Sequence, residues 1–136
     1  MNVLFELSGE HPTLPPAEAQ AILKASHISF KPRQPGRYLT ATLDVSPAIL
    51  HDIAQRLALT HALYQIHASG SPDDIVATLP SLSFPGETFA LRGRRVNDGA
   101  SISHLKQVIG AAIYHATGMT VDLDTPDAEL SLLVDG

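Results

Sequence analysis

The fold of the second half of the chain is decided by residues 101–134, which are SISHLKQVIGAAIYHATGMTVDLDTPDAELSLLV. Residues 101–117 carry apolar side chains at helical spacing, and this pattern predicts an amphipathic helix. Ser101 is the predicted N-cap, and Gly118 is the residue predicted to end the helix. Gly110 lies inside the helix at a cost of about 1 kcal/mol relative to Ala, which predicts close packing against another backbone. The predicted inward-facing residues are Ile102, Leu105, Val108, Ile109, Ala112, Ile113 and Ala116.

Two strands are predicted after this helix, at residues 120–123 and 129–134, and residues 124–127 join them. This short region contains the carboxylates of Asp122, Asp124, Asp127 and Glu129. Carboxylate oxygens are the ligands that hard cations such as calcium prefer, so the region is a candidate metal site.

The metal interpretation fails on the spacing of the residues. The region lacks the glycine and the length of an EF-hand loop, and Pro126 occupies the position where a phosphatase-type motif needs threonine. Asx turns, in which an aspartate side chain accepts from nearby backbone N–H groups, account for Asp124 and Asp127 without a metal. The sequence therefore predicts a turn and no metal site.

The basic side chains of the second half lie mostly before the helix. Residues 87–96 alternate in polarity, which predicts a half-buried strand with Arg92 and Arg94 on its exposed face. Arg95 follows near the strand end, and Lys106 lies on the helix. These four side chains are either phosphate contacts for RNA or a solvated face that pairs with the acidic C-terminal segment.

The charge distribution makes this basic character local. The chain has 136 residues and a formal charge of −5, which argues against broad attraction to nucleic acid. Residues 87–121 contain four Lys or Arg and two Asp or Glu, whereas residues 122–136 contain five acidic residues and none that are basic. A nucleic-acid contact, if present, is expected within residues 87–121.

The composition also limits the classes of protein to consider. The chain has no cysteine, which excludes disulfides, thiolate metal sites and a cysteine nucleophile. No apolar run approaches the roughly 20 residues of a membrane span, and the N-terminus has no signal-peptide pattern. We therefore expect a cytoplasmic protein with no membrane partner. The seven histidines are scattered and no G-x-S-x-G motif occurs, so no catalytic residue is predicted.

The first half of the chain predicts a small sandwich of helices and strands. The alternating strands and helices are predicted at 3–7, 15–26, 38–45, 47–57 and 59–68. A further strand is possible at 27–31, and residues 32–36 are predicted to break regular structure. Residues 69–74 have linker composition and also the start of a third helix, so we predict domains at 1–68 and 69–136. The element order of the first domain suits a ferredoxin-like α+β sandwich.

Several ordered motifs in the second half resemble the THUMP domain of archaeal tRNA methyltransferases that modify guanine N2. They are FALRGRRV at 89–96, IG at 109–110, TG at 117–118 and VDLDTPD at 121–127. The segment FELSGEHPTLPPAEAQAIL, residues 5–23, is similar to the start of such enzymes, where a ferredoxin-like domain precedes THUMP. The family usually has asparagine before the proline, and this chain has Thr125.

This resemblance implies a fold, an RNA partner and a separate domain for catalysis. It implies a ferredoxin-like sandwich followed by an α/β THUMP domain whose C-terminal part is missing here. The implied partner is the acceptor end of tRNA, and the implied RNA-binding residues are Arg92, Arg94, Arg95 and Lys106. Methylation would belong to a domain in the same or another chain that uses S-adenosylmethionine. This chain has no G-x-G and no Asn/Asp-Pro-Pro-Tyr motif, so no cofactor site is predicted in it.

A second function stays open on the residues alone. A ferredoxin-like module of this size could instead act in regulation or assembly, by binding a small ligand or by forming a homodimer. An unpaired sheet edge is a route to such a dimer.

Overall fold

The computed structural model describes residues 1–33, 37–96 and 101–135. The chain forms two compact units, Met1–His67 and Ala68–Gly136, and each unit has its own hydrophobic core. The predicted boundary after residue 68 lies one residue from this division. That the second domain lacks its C-terminal part stays a prediction.

The first unit combines two helices with a four-stranded sheet. Its elements are β1 (Asn2–Leu7), α1 (Leu14–Ala25), β2 (Phe30–Arg33), β3 (Tyr38–Leu43), α2 (Pro47–Arg56) and β4 (Thr60–Gln65). The strands lie in the order β2-β3-β1-β4, and every neighbouring pair is antiparallel. This β-α-β-β-α-β arrangement is that of the ferredoxin-like sandwich.

The core of the first unit follows from the alternation of β1. Val3, Phe5 and Leu7 point to one side of the strand and are buried. They belong to the same cluster as Leu23 of α1 and Ile53 of α2. Both helices therefore cover the same face of the sheet.

Pro32 and Arg33 lie in β2, so the prediction that residues 32–36 break regular structure is wrong for these two. Residues 34–36 lie outside the described part of the chain. Proline is tolerated in β2 because this strand is at the edge of the sheet, where a missing N–H leaves no neighbouring carbonyl unpaired.

The second unit has a parallel sheet. Its elements are α3 (Pro72–Thr78), a 3-10 turn (Leu79–Ser81), β5 (Thr88–Arg95), α4 (Ile102–Thr117), β6 (Thr120–Val121) and β7 (Ala128–Val134). The strand order is β6-β5-β7, and both outer strands run parallel to β5. One antiparallel sheet and one parallel sheet, each with helices, confirm the predicted α+β class.

The start of α3, which the sequence predicts within residues 69–74, is fixed by a capping box. The Ser71 hydroxyl accepts from the Asp74 N–H at 3.2 Å, and the Asp74 carboxylate accepts from the Ser71 N–H at 2.9 Å. The hydrogen bonds from Ser71 hold the pKa of Asp74 below its ordinary value.

Helix α4 packs on the sheet through a narrower stripe than the sequence predicts. Ile109 and Ile113 are buried, but Val108 is 38% exposed and Ala116 is exposed, so their assignment to the inner face is wrong. The predicted close packing at Gly110 is also wrong, because a Cβ there would lie 4.0 Å from its nearest neighbour, an ordinary contact. Gly118 ends the helix with a φ of 73°, as predicted.

None of the helices in the described ranges is long and apolar enough to cross a membrane.

Candidate nucleic-acid interface

Strand β5 carries three of the four candidate RNA-binding side chains, and its alternation divides them between two faces. Gly93 faces α4, because a Cβ built on it would meet Ile102 and Lys106 of that helix. Arg92 and Arg94, one position to either side, therefore project from the opposite face. Arg95 follows the parity of Gly93 and lies on the α4 side, at the end of the strand.

The four predicted cations are all exposed, but they do not form one patch. Arg92 and Arg94 share the face of the sheet away from α4, whereas Arg95 and Lys106 lie on the α4 side. The Lys106 aliphatic chain lies over Gly93, and the side chain as a whole is exposed. The cations thus flank the carboxyl half of β5 on both faces.

Arg92 is the candidate whose surroundings are best defined. Its Nη2 donates to the Leu123 carbonyl at 3.1 Å, and its Nε lies 3.5 Å from Oε1 of Glu129. The side chains of Arg92 and Glu129 are 46% and 66% exposed. The predicted alternative of an ion pair with the acidic segment therefore holds for Arg92, although exposure makes such a pair weak.

The acidic segment after β6 forms a turn, and its first aspartate makes it. Asp122 Oδ1 accepts from the backbone N–H groups of Asp124 and Thr125 at 3.0 and 3.1 Å. The prediction that Asp124 forms the Asx turn is wrong, since Asp124 supplies a donor rather than the acceptor. The predicted strand at 120–123 ends at Val121 for the same reason.

Asp127 lies at the end of the connection from β6 to β7, and its side chain binds the start of β5. Its Oδ2 accepts from the N–H groups of Glu87 and Thr88 at 2.8 and 3.2 Å, and the Thr88 hydroxyl accepts from the Asp127 N–H at 3.0 Å. The sequence predicted an Asx turn here, but the partners lie about 40 residues earlier in the chain. No local pattern in the sequence indicates these partners. In the structure, Gly86 before β5 leaves room for the Asp127 side chain.

These contacts account for the clustered carboxylates that first suggested a metal. In the described ranges, no group of three or more His, Asp or Glu side chains is placed to hold a metal ion. Two of the four carboxylates accept backbone hydrogen bonds, and Glu129 lies beside Arg92. The exposed side chains of Arg92, Arg94, Arg95 and Lys106 carry positive charge around β5, which suits phosphate rather than a cation.

We predict that acid destabilises the second unit through Asp122 and Asp127. Hydrogen bonds from Thr125 and Asp124 lower the pKa of Asp122, and those from Glu87 and Thr88 lower the pKa of Asp127. Since the folded pKa values lie below the unfolded ones, their stabilisation is full above about pH 4 and is lost as the pH falls through the folded values. Thermal unfolding at pH 5 and pH 3 should show a smaller loss of Tm in Asp127→Asn than in the parent chain.

Asp124→Asn is the matched control for this measurement. It makes the same change in the same connection between β6 and β7, but the Asp124 carboxylate accepts no hydrogen bond from the described residues. An Asp124→Asn variant that reduced the acid sensitivity as much as Asp127→Asn would contradict the assignment.

No protein-family model matches the chain. A relative from Methanothermobacter thermautotrophicus, a tRNA (guanine(10)-N2)-dimethyltransferase, is 29% identical over 129 residues. The match covers 93% of this chain and 38% of the relative, so the chain spans little more than a third of that protein's length.

Solved structures show the same fold at lower identity. TrmN from Thermus thermophilus matches all of this chain and 43% of its own length, at 20% identity and a TM-score of 0.67. The protein PH1313 from Pyrococcus horikoshii matches 98% of this chain and 50% of its own, at 13% identity and a TM-score of 0.69. A 4-thiouridine synthetase in complex with RNA and ATP matches 98% of this chain and 38% of its own, at 16% identity and a TM-score of 0.56. The resemblance predicted from the sequence is confirmed, and the chain is similar to the THUMP region of a tRNA guanine-N2-dimethyltransferase.

Proposed function

We propose that this chain is an RNA-binding module that positions tRNA for methylation at guanine N2. The observation that carries the proposal is the 29% identity to a tRNA (guanine(10)-N2)-dimethyltransferase over 93% of this chain. The exposed cations around β5 support it, because they lie in a chain whose overall charge is negative. A surface that keeps positive charge against that background is suited to phosphate.

The module acts without transferase activity of its own. A methyltransferase domain in the same or another chain supplies S-adenosylmethionine chemistry, and this module holds the acceptor end of the tRNA in the cytoplasm. The few aromatic side chains favour recognition of backbone and shape over stacking on bases.

Removing the two cations on the α4 side should weaken tRNA binding about ten-fold at low salt, because each exposed contact contributes up to about 1 kcal/mol. The variant combines Arg95→Gln with Lys106→Gln, which keeps most of each aliphatic chain. The slope of log Kd against log salt should fall by about 1.4 to 1.8, since each lost phosphate contact contributes roughly 0.7 to 0.9. Filter binding with whole tRNA over a salt series measures both quantities.

The matched control removes the same charge elsewhere. Lys24→Gln with Lys31→Gln changes two exposed side chains of the first unit and should leave both affinity and slope nearly unchanged. An acceptor-stem minihelix should compete for the site, and an anticodon stem-loop should compete poorly. Equal binding by the two double variants would reject the assigned residues, and no binding by the parent chain would reject the function.

Assembly is the second candidate function, and the position of β7 favours it. Within the described part of the chain, no strand pairs with the outer edge of β7. Residues 128–134 contain no Lys, Arg or Pro, which are the residues that block pairing at many edges. Light scattering that gives twice the chain mass, together with no tRNA binding, would support this alternative.

A further inference from the structure

We propose that Arg92 is a pre-positioned phosphate-binding arginine, held by the Leu123 carbonyl, and that RNA phosphate displaces Glu129 from it. This inference rests on the proposed function and adds the way in which one side chain takes part in it. It assigns Leu123 and Glu129 unequal roles, one as a permanent anchor and the other as a stand-in for phosphate.

The guanidinium of Arg92 reaches both neighbours of the central strand. Leu123 follows β6 on one side of β5, and Glu129 lies in β7 on the other. Glu129 is opposite Ala90 in the register and Ser131 is opposite Arg92, so Glu129 and Arg92 lie on the same face at a diagonal. The side chain therefore lies across the sheet surface instead of extending into solvent.

The two contacts differ in how easily they can be exchanged. The Leu123 carbonyl belongs to the backbone of a turn that Asp122 stabilises, so it stays in place when a ligand arrives. Glu129 is 66% exposed, and its 3.5 Å separation from Nε is longer than the 2.7–2.9 Å typical of a charge-assisted hydrogen bond. A phosphate oxygen at the ordinary distance would therefore replace a loose partner with a close one.

Arginine is suited to this double use because its fork carries five N–H donors. One donor can remain on the carbonyl while others turn to phosphate. The anchor also fixes side-chain rotamers before RNA binds, which lowers the entropy lost on binding. Lysine has the charge but not the fork, so it cannot hold the carbonyl and meet phosphate in the same geometry.

The test is a double-mutant cycle read by tRNA binding at low salt. Glu129→Gln in the full chain should tighten binding about two- to five-fold, because it removes a competitor worth what an exposed ion pair is worth. In an Arg92→Gln background the same change should alter binding no more than the control does. Glu87→Gln is that control, since it removes the same charge from an exposed position at the start of β5.

Arg92→Lys separates positioning from charge. It should weaken tRNA binding although the charge is kept, and it should remove most of the gain from Glu129→Gln. Thermal unfolding of each variant shows whether it is folded. If Arg92→Gln is not folded, Arg92→Lys replaces it in the cycle.

The outcomes of the cycle test the role of Arg92 separately from the proposed tRNA-binding function. Tighter binding by Glu129→Gln that depends on Arg92 supports the inference. Effects of Glu129→Gln that equal those of Glu87→Gln, or that persist without Arg92, overturn the inference. In that case, tRNA binding by the parent chain still leaves the proposed function in place. No tRNA binding by the parent chain overturns both.

Discussion

Gly86→Ala is expected to destabilise the chain by about 2–5 kcal/mol, because it adds two separate penalties. Gly86 has a φ of 81°, where an L-residue costs roughly 1–2 kcal/mol. A Cβ there would also lie 2.2 Å from Cβ of Asp127, and overpacking of that kind costs about 1–3 kcal/mol. Because Asp127 must move away, the N–H groups of Glu87 and Thr88 lose their acceptor.

Gly118→Ala isolates the first of the two penalties. Gly118 has a similar φ of 73°, but no atom lies within 4 Å of the position that a Cβ would take. Its substitution should cost only the roughly 1–2 kcal/mol of the left-handed conformation. Denaturant unfolding of both variants measures the difference, and a loss at Gly86 no larger than that at Gly118 would show that the approach of Asp127 is unimportant.

The helices and strands were predictable because each follows from a pattern of neighbouring residues in the sequence. Only a few neighbouring residues are needed to recognise each pattern. These patterns are the apolar stripe of α4, the alternation of β5, Pro15-Pro16 in the first turn of α1 and Pro47 at the start of α2. The errors at Val108 and Ala116 have a common cause. A helical repeat identifies a face, but the width of the buried part depends on the sheet beneath it, which is not local information.

The candidate site was predictable only as far as strand parity extends. Alternation correctly set Arg92 and Arg94 apart from the face that α4 covers, and it placed Arg95 near the strand end. It could not show that β6 and β7 lie on opposite sides of β5, since parallel pairing joins residues far apart in sequence.

The contacts of the carboxylates depend on that unpredicted arrangement. Asp127 binds backbone amides about 40 residues away, and Glu129 in β7 lies beside Arg92 in the neighbouring strand β5. Asp122 was within reach of local reasoning, because an aspartate two residues before a backbone N–H is the ordinary Asx geometry. The strand predicted to run through Asp122 concealed it.

Gly93→Ala is expected to cost about 1–3 kcal/mol by forcing α4 away from β5. A Cβ at residue 93 would lie 2.4 Å from Cγ2 of Ile102 and 2.9 Å from Cδ of Lys106. The lysine chain can swing aside, but Cγ2 of a β-branched side chain is rigid relative to the helix backbone, so the first turns of α4 must shift. Denaturant unfolding measures the loss, and tRNA binding should weaken with it because Lys106 moves relative to Arg95.

Gly110→Ala is the control that shows whether the loss of stability in Gly93→Ala comes from the close approach of residue 93 to α4. Gly110 also lies between α4 and β5, yet a Cβ there would meet only Leu91, at 4.0 Å. Alanine should therefore stabilise the chain by about 0.5–1 kcal/mol, through the better helix propensity alone. The two substitutions add the same methyl group on the same interface with opposite expected signs. Loss of stability in both, or in neither, would contradict the assignment of the loss at Gly93 to its close approach to α4.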